Sequence, residues 1–311
     1  MYSSIPLLYL ILETLWPFLR KKMIMRIKIG GLVLFLTFFL SSLLLNAQTK
    51  SFGLKLNPGL GFMRSPHLKQ AAHALQSNHP GIEKYDIRSK AGFQFGIGGF
   101  FQYEINEKFT LLTDPSFNYF RSTFTQNYIS DTYSSGGEDQ QTTIRSTAKV
   151  HYLYANIPIM IKYELLSYQR VFVSGGFSLN INSKAKIIAD EDSVTNAIAS
   201  DGNIDYTTIR NISSKATADK FSPLSVNLNF GIGKSFLMGR YYNLDIELRY
   251  QFPLTSSNFY TTDQQYQSST ALNGVFGQSG KESLEAASGK TINHFRSSVI
   301  SLAIRYVLWS K

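Results

Sequence analysis

From Tyr241 to Phe252 the chain alternates without a break. Leu244, Ile246, Leu248 and Tyr250 fall on one side of an extended chain, and Asn243, Asp245, Glu247, Arg249 and Gln251 on the other. A period of two marks a strand with two unlike faces. The pattern recurs around 222–236, where Leu224, Val226, Leu228, Phe230 and Ile232 oppose Ser225, Asn227, Asn229, Gly231 and Gly233. It recurs again at 295–309, where Ile300, Leu302, Ile304, Tyr306 and Leu308 oppose Ser301, Ala303 and Arg305. In all, eight strands are predicted, at roughly 51–62, 91–105, 108–121, 149–164, 169–182, 222–236, 241–253 and 295–309. Most exceed the five or six residues usual in globular sheets, and all are long enough to cross a bilayer when tilted.

The connections alternate in length. Residues 106–108, 165–168 and 237–240 form short links, whereas 63–90, 124–148, 183–221 and 254–294 form long polar ones. That order predicts an all-β fold: a single closed antiparallel transmembrane β-barrel of about eight strands, with short periplasmic turns and long external loops. A soluble sandwich has no reason to segregate its loops in this way. Glycines gather on the polar faces, at Gly53, Gly59, Gly61, Gly96, Gly98 and Gly176. Inside a narrow barrel, missing side chains make room for large ones. The apolar rows therefore face lipid and the charged rows face inward. Tyr103, Phe109, Tyr163, Phe236, Tyr241, Tyr242, Tyr306 and Trp309 fall near the short-turn rim, where amphipathic rings favour the interface.

Targeting signals agree with export. After Arg26 and Lys28 an apolar run from Gly31 to Leu45 leads to Asn46, Ala47 and Gln48. This is a basic region, a hydrophobic region and a small residue at a cleavage point, which predicts a signal peptide over 23–47 cut after Ala47. A second apolar segment before it, broken by Glu13 and Pro17, adds nothing to export. Residues 1–22 are accordingly expected to be upstream sequence with a mis-assigned start, leaving 48–311 as the barrel domain. Beyond Gln48 no apolar stretch is long enough for a membrane helix, so a mature chain in a membrane crosses it as strands.

Composition narrows the chemistry. The chain has 18 Tyr and 23 Phe, which favour strands, and no cysteine, which excludes disulfides, thiolate metal sites and a lipidated N-terminal Cys. The formal net charge of +10 falls to about +6 once residues 1–47, with five basic residues and one acid, are removed. With no basic stripe and no recognised motif, nucleic acid is not an expected partner.

The inward rows carry Lys55, Glu104, Asp114, Lys162, Glu164, Asp245, Glu247, Arg249 and Arg305, with Gln102 among them. Charges shut in a lumen persist only when paired, so the expectation is a structural salt-bridge network that plugs the barrel in preference to a conduction path or proton relay. No catalytic, cofactor or metal residues are expected. The segment GIGKS, Gly231 to Ser235, resembles the end of a phosphate-binding loop, but Leu228 stands where the first glycine belongs and the segment lies in a strand. GVFGQSGK, Gly274 to Lys281, fails at Val275 and Glu282. His67, His73 and His79 recur every six residues, which matches no helical face and no metal signature, so they read as solvated loop residues. The same loop predicts a short amphipathic helix: Ser65 as N-cap, Pro66 at the first position, then Leu68, Ala71, Ala72 and Leu75. It is expected to cover the barrel mouth, with docking of a partner as the other reading.

Residues Asn156 to Tyr163 (NIPIMIKY), a short turn and Val171 to Phe177 (VFVSGGF) resemble the PorT-like outer-membrane β-barrel family. In that family a strand of the form I/L-P-x-x-x-K-Y precedes one with a Gly-Gly element. The opening strand from Phe52 to Gly61 and the closing one from Ser298 to Trp309 look similar too. The resemblance implies residence in the outer membrane, insertion by the barrel-assembly machinery, contact with outer-membrane lipids and a possible link to protein secretion. It carries over no catalytic residue. Pro158, with no amide proton, predicts a bulge or a locally open strand.

The leading functional expectation is a non-enzymatic structural or interaction module with a possible protein partner at its external loops. Tyr128, Tyr133, Tyr206, Tyr260 and Tyr266 are candidate contacts there. The alternative is a narrow pore or a transporter of small or hydrophobic solutes. A membrane-embedded hydrolase would require His151 or His294 beside a serine.

Overall fold

The computed structural model describes residues 49–310 apart from 79–80, 134–138, 167, 199–202, 239–241, 258 and most of 263–294. The predicted signal peptide and upstream segment lie outside the described residues. The barrel wall is built from β1 (Thr49–Leu56), β2 (Gly59–Arg64), β4 (Gly92–Glu104), β5 (Phe109–Thr113), β6 (Ser116–Tyr133), β7 (Asp139–Leu166), β8 (Val171–Asn182), β12 (Leu224–Met238), β13 (Tyr242–Pro253) and β15 (Arg296–Ser310). Two of the walls are single predicted strands broken in the middle, β1 with β2 and β5 with β6. Following the antiparallel pairings from β1/β2 through β4, β5/β6, β7, β8, β12, β13 and β15 returns to β1/β2, a ring of eight.

Both breaks fall at proline. Asn57 and Pro58 separate β1 from β2, and Asp114 and Pro115 separate β5 from β6. Proline has no amide proton to give to a ladder, and Asn57 and Asp114, just before the two prolines, keep the inward parity of their strands. Pro158 lies within β7, paired with Ser178 of β8 on one side and facing the Asp114–Pro115 break on the other. Its missing donor is tolerated there because the facing strand is itself interrupted; the hydroxyl of Thr113 donates to the Pro158 carbonyl at 2.8 Å.

Facing follows the alternation. Leu248, Phe230, Ile232, Ile159, Ile161 and Leu302 expose their side chains on the outer wall, while Lys55, Asp114, Glu247, Arg249 and Arg305 are buried inside. The outward apolar row of β7, from Leu153 to Tyr163, rises to a height matching the roughly 25 Å lipid-facing band of outer-membrane barrels at their usual strand tilt. Phe109 and Tyr163 lie 4.9 Å apart at the short-turn rim, and Phe52 stacks on Trp309 at 5.5 Å.

Three of the long links, 63–90, 124–148 and 183–221, are largely strand and helix, and most of the fourth lies outside the described residues. β6 and β7 contain 18 and 28 residues, and β7 at about 3.3 Å per residue is about three times as long as a hydrocarbon core is thick. Their upper halves stand clear of the barrel and are joined by β3 (Ile82–Lys90), β9 (Lys186–Ile198) and β10 (Ile204–Thr217), giving an outer sheet in the order β3-β6-β7-β9-β10. β9 continues upward along β7 where β8 stops, after a break at 183–185. The expected loop helix is present as α1 (Leu68–Asn78), with Leu68, Ala71 and Ala72 buried, and it packs on β3. A two-stranded patch of β11 (Lys220–Phe221) and β14 (Phe259–Tyr260) completes the upper part.

Candidate functional site: a sealed and stratified lumen

Three layers of different chemistry follow one another along the barrel axis. The lowest is charged. Asp114, inward on the same parity as Thr110 and Leu112, accepts from Lys55 Nζ at 3.0 Å, from two Arg249 nitrogens at 2.8 Å each and from Arg305 at 3.0 Å. Glu247 accepts from Arg249 Nε at 3.0 Å, from Ser174 Oγ at 2.6 Å and from Arg305. Asp245 accepts from Lys162 at 2.8 Å and Gln102 at 3.0 Å. The Lys162 ammonium also lies 4.0 Å from the centre of the Phe172 ring, a cation–π contact. Arg249, Arg305 and Glu247 expose no surface at all.

These contacts satisfy the condition for keeping ions out of water: every carboxylate has at least two donors, and the bidentate Arg249–Asp114 pair is the strongest geometry available. Four cations (Lys55, Lys162, Arg249, Arg305) meet three carboxylates (Asp114, Asp245, Glu247), a surplus of one positive charge. Gly231 is required here, because a Cβ at that position would run into the Glu247 carboxylate and the Ser174 hydroxyl. The glycine-rich GIGKS segment is thus strand backbone that makes room for the network.

Two of the expected interior charges lie elsewhere. Glu104 ends β4 exposed and Glu164 is half-buried near the end of β7, and neither joins the described ion pairs. At strand ends the lumen opens to water, so an inward side chain there needs no partner.

Above the charges lies a carboxamide layer: Asn57, Gln94, Asn118, Asn156, Asn227, Asn229 and Gln251, all buried. Gln94 donates to Asn118 at 2.8 Å and Asn156 to Asn180 at 2.6 Å. Alternation places these residues inward, but nothing in the sequence marks them as a layer, since apart from Asn227 and Asn229 of β12 each comes from a different segment.

The third layer is aromatic and lies at the outer mouth. Phe120 stacks with Tyr152 at 4.8 Å, Tyr152 meets Phe221 at 4.8 Å, and Phe221 meets Phe259 edge-on at 5.7 Å. Phe124 touches Phe276 at 5.0 Å and Phe295 at 5.9 Å. Leu68, Ala71 and Ala72 of α1 belong to the same buried cluster, so the helix does cover the mouth. Tyr128 packs edge-on against Tyr85 at 5.8 Å instead of facing solvent. Tyr206 is exposed and Tyr260 half-buried; the Tyr133 side chain and Tyr266 lie outside the described residues.

His67 and His73 make local contacts with Gln70 and Ser77, and no group of potential metal ligands occurs among the described residues. His79 and His294 lie outside the described residues. His151 projects from the outer face of β7 between Arg121 of β6 and Lys186 of β9.

A closed ring of eight antiparallel strands with lipid-facing apolar rows and a filled polar lumen defines a small outer-membrane β-barrel. The chain belongs to the family described as the outer membrane protein beta-barrel domain, whose profile matches residues 46–258, and its place is the outer membrane. No curated protein shows significant sequence similarity to it. Among solved structures, Neisserial surface protein A is similar at 11% identity, over 84% of this chain and 99% of that one, with a TM-score of 0.29. The attachment invasion locus protein Ail of Yersinia pestis is similar at 8% identity, over 85% of this chain and 100% of that one, with a TM-score of 0.26. OprG of Pseudomonas aeruginosa is similar at 9% identity, over 83% of this chain and 92% of that one, with a TM-score of 0.28. The fold assignment rests on the strand pairing and the family match.

Proposed function

We propose that this protein is a non-enzymatic interaction module of the outer membrane: a plugged barrel that holds a tall external sheet out from the cell for a protein partner. The observation that carries this reading is the free edge of that sheet. β10 ends it, no described strand pairs with its far side, and Ile204, Tyr206 and Ile209 are 60%, 50% and 68% exposed. An open edge with unpaired backbone groups is a template for strand addition, and exposed apolar side chains beside it supply specificity. The opposite edge differs, because β3 carries α1.

Transport along the axis is the weaker reading. The charge network and the aromatic cap lie in series, and opening the first would leave ions of one sign unpaired in a low dielectric. The resemblance to the PorT-like family supports placing the partner in a protein-secretion apparatus.

The test is photo-crosslinking in intact cells from a crosslinker at Ile209, with one at Leu248 in the membrane band as control. We expect a discrete protein adduct from Ile209 alone, lost when 199–202 is replaced by a chain that pairs over the edge. No adduct, together with steady single-channel conductance in planar bilayers, overturns the reading. Loss of protein export on deletion of the gene, restored by the wild type and not by a variant lacking β9 and β10, tests the secretion link.

A further inference from the structure

The outer wall over β4, β6, β7 and β8 carries a groove of about 510 Å³, lined chiefly by Phe95, Phe117, Tyr119, Leu153, Ala155 and Ile181. Phe117 is 76% and Leu153 60% exposed, so these side chains meet the surrounding medium. The register shows what lies above them. Phe117 pairs with Ala155 and Tyr119 with Leu153; one rung higher Arg121 pairs with His151, and His151 with Lys186 of β9. The wall changes from wholly apolar to three neighbouring basic residues within two positions, about 7 Å along the strands. Tyr119 bridges the two zones, its ring centre 6.2 Å from that of His151.

The next rung is basic as well. Lys90 of β3 pairs with Thr123, which pairs with Lys149. Of the outward acids around this group, Asp190 is already engaged by Lys149 at 3.1 Å and by the Ser213 hydroxyl at 2.9 Å, and Asp219, two residues beyond the Thr217 that pairs with Lys186, accepts from the amide and hydroxyl of Thr262. Arg88 and Asp86, farther up β3, pair with each other. Lys215 lies beside Ile188, farther round the sheet. No ion pair among the described residues engages Arg121, His151 or Lys186. Around the same upper boundary Arg64 and Arg296 stand side by side on β2 and β15.

We propose that this wall is a binding site for a phosphorylated lipid of the outer leaflet, with acyl chains in the Phe95–Phe117–Leu153–Ile181 groove and a phosphate between Arg121, His151 and Lys186. Depth decides for a lipid over a protein: the groove lies within the band where hydrocarbon is the solvent. Charge decides the headgroup, since a cationic row at the membrane surface attracts anionic lipid and guanidinium and ammonium groups are the usual phosphate donors. The site is independent of whatever binds the edge of β10.

The test uses the mature protein in an uncharged detergent, titrated with bisphosphorylated lipid A and read by native mass spectrometry. Phosphatidylethanolamine serves as the net-neutral comparison and inorganic phosphate as competitor. One tightly retained lipid A is expected, at least tenfold weaker in R121Q/H151Q/K186Q and weaker in A155W, which fills the groove without touching the charges. Phosphatidylethanolamine binding should not respond to the triple variant, and millimolar phosphate should not displace lipid A. Heat-modifiable gel mobility establishes that each variant is folded; Ala155 and the three basic residues all face outward, so no interior packing is disturbed. Binding of lipid A by the triple variant within twofold of wild type, equal retention of the neutral lipid, or ready displacement by phosphate overturns the proposal. Unchanged binding by A155W overturns the role of the groove.

Discussion

Arg249 and Asp114, 135 residues apart in the chain, meet through two parallel hydrogen bonds of 2.8 Å each, and neither side chain exposes any surface. The two are not equivalent. Asp114 is held by three cations, whereas Arg249 is one of three that hold it. Removing the carboxylate in D114N leaves four buried cations facing two acids. Removing the guanidinium in R249M leaves three facing three. Breaking a buried pair by stranding a charge costs about 3–5 kcal/mol. D114N should therefore lose about that much in urea unfolding from lipid vesicles, and R249M clearly less. An equal loss in the two would mean that packing of the arginine, not charge balance, holds the lumen.

Gly231 and Gly175 predict opposite results for the same substitution. A Cβ at Gly231 would collide with the Glu247 carboxylate and Ser174, whereas at Gly175 the nearest atom is the Asn229 carbonyl oxygen at 4.0 Å. Overpacking a filled interior costs about 1–3 kcal/mol. G231A should lower the unfolding midpoint by that margin and G175A should leave it unchanged or raise it slightly. Equal midpoints would place Glu247 somewhere other than against β12.

How much of this was legible in the sequence depends on which solvent a residue meets. Where one face meets lipid, alternation is sharp, and the eight wall strands, the inward charges and the GIGKS segment as strand could all be read from it. The outer sheet was misread as loops because both its faces are rich in polar residues. In IDYTTIRNISSKAT, over β10, Ile204 and Ile212 fall on one face and Ile209 on the other, so no apolar row of period two announces the strand. The charge cluster was legible by parity except at Glu104 and Glu164, where parity is right and depth is wrong. The aromatic cap was not legible at all: Phe120, Phe221, Phe259 and Phe295 come from four separate segments, and only the closure of the barrel brings them together.

The cap and the charge network seal the barrel independently, so loss of one should not open it. Phe259 contacts Phe221, Phe276 and Phe295, and truncating such a buried ring costs about 3–5 kcal/mol. In F259A the segment around β14 should become sensitive to external protease while the barrel keeps its heat-modifiable mobility. Planar bilayers should still show no conductance. Conductance in F259A alone would show that the layers beneath the cap do not close the lumen.

Asp219 gives the cap a dependence on acid. It lies outside the membrane band and its carboxylate accepts from both the amide and the hydroxyl of Thr262, while its own amide donates to the Tyr260 carbonyl at 3.0 Å. The Thr262 hydroxyl first, and then the Thr262 amide, hold its carboxyl below the usual carboxylate range. A depressed carboxyl stabilises the folded state fully above its unfolded value of about 3.9, and that contribution disappears as pH falls through the lower folded value. Hydrogen exchange at the Thr262 amide should therefore be slow relative to its intrinsic rate at neutral pH and lose that protection below about pH 4. In D219N the protection should already be reduced at neutral pH and should no longer change with acid. The same acid step in D219N would assign the titration to another group, of which Asp190, lowered chiefly by the Ser213 hydroxyl and by Lys149, is the nearest in kind.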